Sequence, residues 1–433
     1  MTNTCEKNED RLSSTGRRQL LKGLGAVAAT AGLPTVASAQ GKTIRIGYIS
    51  PLTGALANFG ESDKYTVSKI QALLKDGLTI NGTKYTVEIL VRDSQSNPNK
   101  AAEIAGNLIL NEKVHMMLPA STTDTINPVA DQCELHGVPT LSCTAPWQAY
   151  VFGRGGTPDK PFKWTYHFFW GLEDVLALYT NMWSAVQTNR KVGILLPRTA
   201  DGEAWSNKEW GLPPSIAKAG FQHVFPSTFQ LGTNDYSAQI SEFKRAGCEI
   251  IGGLAYAPDL KTFVTQCRQQ QFKPKVVTVA AGLLFPSGVE AMGALGEGMS
   301  TEVWWTPAFP FKSSLTGETG AKLAADWETE TKKQWTQPLG YAHALWEVAI
   351  DALKRAKDPT SREAIRQAIT ETNLSTMAGP ISFKGGPTPN VCKTPIVGGQ
   401  WVKGQKHRYD LRIVDNSRGK LVPSEGKLSL IGT

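Results

Sequence analysis

Short apolar runs alternate with longer amphipathic ones along most of this chain, and the two periods separate strands from helices. The run T-I-R-I-G-Y-I-S at 43–50 alternates and begins with β-branched residues, which predicts a first strand. Pro51-Leu52-Thr53-Gly54 reads as a turn, followed by a loop carrying Phe59 and a helix over about 61–75. Asn81-Gly82 between apolar segments predicts a tight hairpin, with the next strand over 84–93. Asn97-Pro98 opens a helix running to about 112, proline suiting its first turn. The apolar run 114–118 is too short for a helix and fits a buried strand. Ser121, Thr122 and Thr123 follow at once, then a helix over about 124–136 that Gly137 stops. A further short strand at 138–141 places Ser142, Cys143 and Thr144 at its carboxyl end. This β-α-β-α order predicts a parallel sheet with helices on both faces.

After a Gly- and Pro-rich loop, the aromatic strand W-T-Y-H-F-F-W at 164–170 leads to a second series of the same kind. Its helices are predicted at about 174–188, up to 219, at 236–246 and at 258–271. Its strands are predicted at 191–196, 223–225, 249–254, 275–280 and 297–305. The fold class is therefore α/β, with two doubly wound, Rossmann-like lobes. Three helices at 320–335, 341–357 and 361–370 have no strand between them and are expected to return over the first lobe. Short strands near 381–383, 394–402 and 409–414 are expected to pack on the second.

The length, 433 residues, suits two or three domains, and 41% apolar with 19% charged residues suits large packed cores. The first 39 residues read as a leader. Arg17-Arg18 stands before an apolar run at 23–33 and the small-residue site Ala37-Ser38-Ala39, a twin-arginine export pattern with cleavage before Gln40. That run is shorter than the ~20 residues of a membrane span, and no cysteine adjoins the cleavage site, so no anchor in the membrane is expected. Gly23-x-Gly25-x-x-Ala28 mimics a dinucleotide fingerprint but lies in the leader and follows no strand.

Export implies the periplasm, an oxidising compartment. Cys133, Cys143, Cys248, Cys267 and Cys392 would remain after cleavage; Cys133 with Cys143, or Cys248 with Cys267, could pair, and the sequence leaves this open. There is no C-x-x-C, and the six histidines are scattered, so neither a metal nor a cofactor is expected. The formal charge of +8 is spread along the chain and not gathered into a nucleic-acid footprint.

The candidate chemistry lies in the two hydroxyl-rich turns. Ligands of open α/β sheets bind beyond the carboxyl ends of the strands. Helix N-termini there present free N–H groups and partial positive charge, which suit a carboxylate or another small anion. Read singly, each turn is equally an ordinary helix cap; two on adjacent strands point to a site.

Five segments in order resemble a known family: I-G-Y-I-S-P-L-T-G-A-L-A-N-F-G, P-V-A-D-Q-C-E-L-H-G-V-P-T-L-S-C-T-A-P, N-D-Y-S-A-Q-I-S-E-F-K-R-A-G, G-G-L-A-Y-A-P-D-L and M-A-G-P-I-S-F. The chain resembles the type I periplasmic binding proteins of the branched-chain amino-acid (leucine-binding) group, receptors of ABC importers. The resemblance implies two lobes joined by a three-segment hinge. The first would take 42–169 plus 307–377, the second 170–306 plus 378–433. It implies a small-molecule solute held between the lobes, a monomer, and a permease of the inner membrane as partner. It places Ala120, Ser121 and Thr122 at a first carboxylate-binding turn and Ser142 and Thr144 at a second. Phe59 would supply an aromatic from the first lobe, and Trp205 and Tyr256 from the second. One departure stands out. Where amino-acid receptors of the family carry a glutamate for the ligand ammonium, this chain has Ala280 and Ala281 after V-T-V. Losing that charge-assisted bond would cost roughly 1.5–3 kcal/mol, which favours a solute other than a simple α-amino acid, such as an aromatic or aliphatic carboxylate or an amide; Asp201, Glu203 and Asp235 are possible substitutes for the acid. Among the 12 tryptophans, Trp147, Trp170, Trp205, Trp304 and Trp305 fall near predicted strand ends or loops.

Two other functions remain to be weighed. A sensory module could use the same fold. An α/β enzyme would need a nucleophile elbow, a metal motif or a P-loop, and the sequence has none of these; Asp201 with His223, or Glu173 with His167, are the only acid–base pairs to consider.

Overall fold

The computed structural model describes residues 42–432. The expected leader lies outside the described residues. Strands β1 (Lys42–Ser50), β2 (Leu78–Ile80), β3 (Thr83–Asp93), β4 (Met116–Pro119), β5 (Thr140–Cys143) and β6 (Thr165–Phe168) build a first sheet. They pair in parallel except for the β2–β3 hairpin. That hairpin turns on Asn81 and Gly82, both at positive φ (49° and 76°), the geometry that matches the twist of antiparallel strands. Helices α1 (Ala57–Leu73), α2 (Pro98–Leu110), α3 (Thr123–His136) and the short α4 (Trp147–Val151) connect these strands. Helix α1 starts earlier than the sequence pattern indicates and therefore carries Phe59. Asn97 caps α2 by accepting from the Lys100 N–H, with Pro98 at its first turn. Gly137 ends α3 in the left-handed conformation at φ 65°.

The second sheet has the same plan. Strands β7 (Lys191–Leu195), β8 (Gln222–Val224), β9 (Ile250–Ala255), β10 (Val276–Ala281) and β11 (Ser300–Val303) run parallel. Helices α5 (Leu172–Ser184), α6 (Ala200–Trp205), α7 (Leu212–Lys218), α8 (Ser237–Ala246), α9 (Ala257–Gln269) and α10 (Pro286–Met292) lie between and around them. The last of these is short and was not read from the sequence. Helices α11 (Gly320–Thr331), α12 (Pro338–Arg355) and α13 (Arg362–Thr370) return to the first lobe, where Trp346 of α12 stacks on Tyr48 of β1 at 5.5 Å.

The tail divides between the lobes, contrary to the expectation that it packs wholly on the second. Strands β12 (Asn373–Thr376) and β13 (Gly379–Ser382) form a separate hairpin, and β14 (Val391–Cys392) pairs with His167 and Phe168 at the edge of the first sheet. Only β15 (Val397–Lys403) and β16 (Tyr409–Asp415) join the second sheet, antiparallel beside β11. The third passage between the sheets therefore follows Cys392, not residue 377. Hydrophobicity could not reveal this, because a two-residue edge strand has no period. All five cysteines of the described residues are buried free thiols, and no described helix is long and apolar enough to cross a membrane.

Close backbone packing positions the strand ends of the second lobe. Gly253 in β9 has φ +144°, and a Cβ there would stand 2.1 Å from the Leu195 carbonyl oxygen of β7. Gly253→Ala is expected to lower the unfolding free energy by about 1–3 kcal/mol, read as a lower urea midpoint at an unchanged slope.

Candidate ligand-binding cleft

Each lobe brings its strand ends to the same gap. From the first come Phe59 of α1, Thr122 in the turn after β4, and Thr144 and Pro146 after β5. From the second come Trp205 closing α6, Tyr256 after β9, Ala280 and Ala281 ending β10, and Glu302 of β11. Phe169, Trp170 and Trp304, on the passages between sheets, form the back wall. Together they border about 400 Å³ of atom-free space, part of it open to solvent.

The lobes touch around this space. The Thr123 hydroxyl of α3 donates to Asp201 Oδ1 of α6. The Ala200 N–H donates to Asp124 Oδ1 at 3.2 Å. Phe59 meets Phe285 edge-on, with ring centroids 4.9 Å apart. These three contacts join residues far apart in sequence across the gap.

The turns that border the cavity are held in an unusual conformation. Ser121 (φ 67°), Thr122 (φ 56°), Thr144 (φ 68°) and Ala281 (φ 65°) all lie in the left-handed region, which L side chains adopt at a cost of about 1–3 kcal/mol each. None is glycine, so each keeps a side chain at a strand end in a fixed direction. Such outliers cluster where a site is held in shape by the surrounding fold.

The polar atoms of the lining are mostly donors without acceptors. The Thr122 hydroxyl and the indole N–H groups of Trp170, Trp205 and Trp304 are buried and have no protein hydrogen-bond partner, while the Tyr256 hydroxyl lies against Asp201 and Thr199. An indole nitrogen can only donate. The acids differ from one another. Burial, with the neighbouring Asp124 carboxylate, pushes the Asp201 carboxyl up to about 7. Burial also raises Glu302, whose Oε2 accepts from the Tyr179 hydroxyl at 2.5 Å and the Thr301 hydroxyl at 2.9 Å. No lysine or arginine lines the cavity.

Six of the residues expected from the sequence meet here: Phe59, Thr122, Thr144, Trp205, Tyr256 and Ala281. Three do not reach the lining. Ala120 is buried in the first-lobe core. The Ser121 hydroxyl faces Asp63 at 3.4 Å, away from the gap. Ser142 Oγ sits 2.9 Å from His167 Nδ1, while His167 Nε2 is 2.7 Å from the Ala145 carbonyl oxygen. Strand alternation alone does not give this, since Ala120 and Thr122, and Ser142 and Thr144, are two residues apart; the positive-φ residues 121, 122 and 144 turn the chain between them. Of the five tryptophans singled out, Trp170, Trp205 and Trp304 line the cavity. Trp147 instead donates to Glu173, and Trp305 packs against Trp335. Glu302 was missed. A carboxylate inside the buried run S-T-E-V was its signal.

Glu173 and His167 do not pair with each other. Glu173 is taken by Trp147, Gln148 and Lys393, and burial holds His167 down at about 3, hence neutral. Asp235 and Glu203 are exposed.

Two doubly wound lobes, joined by three passages and meeting over a lined cavity, define the type I periplasmic binding protein fold. Residues 43–405 match the family described as periplasmic binding protein, and the chain belongs to that family. It is 25% identical over 289 residues to a Leu/Ile/Val-binding protein homolog of Brucella melitensis, covering 65% of this chain and 67% of that one. It is 25% identical over 255 residues to the leucine-, isoleucine-, valine-, threonine- and alanine-binding protein of Pseudomonas aeruginosa, covering 58% and 64%. The chain thus spans about two thirds of the length of these curated relatives. Among solved structures it is similar to a branched-chain amino acid transporter substrate-binding protein of Streptococcus pneumoniae in complex with isoleucine (TM-score 0.67, 17% identity, 86% of this chain and 100% of that one). It is also similar to an ABC-transporter solute-binding protein of Rhodopseudomonas palustris in complex with 4-hydroxybenzoate (TM-score 0.69, 16% identity, 89% and 98%).

The Ser142 geometry separates a packing role from a ligand role. Ser142→Ala leaves His167 Nδ1 buried without its partner, and the expected loss is about 1–3 kcal/mol of unfolding free energy, measured by urea denaturation at pH 7.

Proposed function

We propose that this protein is the solute-binding component of an ABC importer, working in the periplasm as a monomer after export by the twin-arginine route. It captures a small flat solute bearing a carboxylate, or an amide-like group, on an aromatic body, and delivers it to a membrane permease. Solute touches both lobes only when they are shut, so it shifts the population toward the closed form, which the permease reads. In this reading the first lobe takes 42–169 plus 307–392 and the second 170–306 plus 393–432. The family supports a carrier, and no catalytic step is assigned.

The observation that carries the solute class is the set of unpartnered donors on an aromatic wall. Thr122, Trp170, Trp205 and Trp304 offer hydrogens and lack protein acceptors. A buried donor left unpaired costs about 1–3 kcal/mol, which solute oxygens would recover. Rings at the sides favour a planar body by about 0.5–1.5 kcal/mol per stacked pair. An α-amino acid, the isoleucine of the S. pneumoniae protein, is less well served. Alanines stand at the end of β10, and both nearby acids already accept hydrogen bonds from protein hydroxyls. The 4-hydroxybenzoate of the R. palustris protein has the acceptors and the ring that this lining calls for.

Calorimetry tests the class. Benzoate or 4-hydroxybenzoate is expected to bind with a micromolar Kd, and leucine, valine and phenylalanine are not; micromolar binding of any of the three amino acids refutes the proposal. Thr122→Val is expected to weaken aromatic-acid binding about tenfold, the loss of one hydrogen bond of about 1–1.5 kcal/mol.

A further inference from the structure

The closed cleft brings an acid to a place where an anion is expected. Asp201 lines the cavity from the second lobe, and its Oδ1 accepts the Thr123 hydroxyl of the first, one residue from Thr122 at the cavity edge. The charged and titratable groups around it share one sign or carry none. Asp124 faces it from α3, its own oxygen held by the Ala200 N–H. Glu203 lies on the same helix and acts on Asp124. Tyr256 stands beside Asp201 from the end of β9, its hydroxyl facing the Asp201 carboxyl group. Glu302 is the remaining acid of the lining. No lysine or arginine reaches the cavity to balance them. A solute carboxylate closed in beside an ionised Asp201 would meet like charge in a dry space, where repulsion is far stronger than in water.

We propose that the solute anion and one proton enter the cleft together, the proton drawn from solvent and carried on the Asp201 carboxyl group. Protonated, Asp201 changes from a repelling anion into a hydrogen-bond donor. This rests on the reading of the solute as a carboxylate and adds the residue that makes its burial neutral in charge.

The sign follows from linkage. With the lobes apart, Asp201 meets water and ionises in the ordinary carboxylate range, near 4. With the lobes shut, burial and Asp124 push it up to about 7, and a second anion beside it pushes it further in the same direction. Between those two values the closed, loaded protein holds more protons than the open one. Affinity therefore falls as pH rises through that window and levels off above it, by up to about tenfold per pH unit for one proton.

The test is calorimetry of benzoate and 4-hydroxybenzoate binding to the purified protein between pH 5.5 and 8.5. At pH 7 it is repeated in phosphate and in Tris, whose ionisation heats differ. The expected result is an uptake of about half to one proton at pH 7 and a Kd that weakens steadily from pH 6 to 8. In Asp201→Asn the uptake should vanish, and affinity at pH 8 should exceed that of the parent protein. In Asp124→Asn, which keeps an acceptor for Ala200, uptake should fall and affinity at pH 8 should rise. Binding without uptake overturns the inference while leaving the solute reading intact. Uptake that persists in Asp201→Asn also overturns it and transfers the proton to Glu302. No binding of either acid at pH 5.5 overturns the solute reading, and the inference with it.

Discussion

Closing two lobes buries hydrogen-bond donors that the protein itself does not satisfy, and the cleft is built around that constraint. Thr122 and three indoles of the lining are buried without a protein acceptor. Elsewhere in the second lobe the same kinds of group are paired: Trp183 donates to Thr278 at 2.8 Å, and Trp401 to the Leu283 carbonyl at 2.8 Å. A closed state that is incomplete without ligand ties capture to closure, since a ligand shifts a two-state equilibrium only by its differential affinity for the two states.

The scaffold holds this arrangement with short-range devices. Left-handed residues at the ends of β4, β5 and β10 turn the chain so that Thr122, Thr144 and Ala281 reach the gap. The passages between the sheets are clamped on one side by Lys393, which bridges Glu173 and Asp174 at 2.6 and 2.7 Å, and by Arg418 on Asp174 at 2.6 Å. Trp305 seals the second passage against Gly340, where a Cβ would stand 2.2 Å from its ring. At the cleft the lobes meet through a hydroxyl–carboxyl bond, a backbone N–H to a carboxylate and an aromatic edge contact, among others.

Much of the plan was legible in order and spacing. Two βα series, the Asn81-Gly82 hairpin, the Gly137 stop and the three returning helices all follow from local periodicity and turn chemistry. Thr122, Thr144, Tyr256 and Trp205 were legible because strand ends in α/β sheets face the ligand edge. The side chains of Ser121 and Ser142 do not reach the lining, for a reason equally physical. The hydroxyl run named the right turns, but which of two neighbours faces the gap depends on backbone dihedrals that composition does not encode. Glu302 was passed over because a buried strand was read only for its apolar content.

The sequence by itself determined the elements, their doubly wound order, the family and the two turns that meet the cleft. Each depends on interactions within a few residues or on a pattern spread over hundreds. The tertiary structure alone decided that β14 stays in the first sheet, that Asp201 comes to rest between Thr123 and Tyr256, and that the Thr122 hydroxyl and three indoles of the lining are buried without acceptors. Those features arise where segments far apart in the chain are pressed together, and burial, which sets both the unpaired donors and the raised carboxyl groups, is a property of the closed assembly and not of any single stretch.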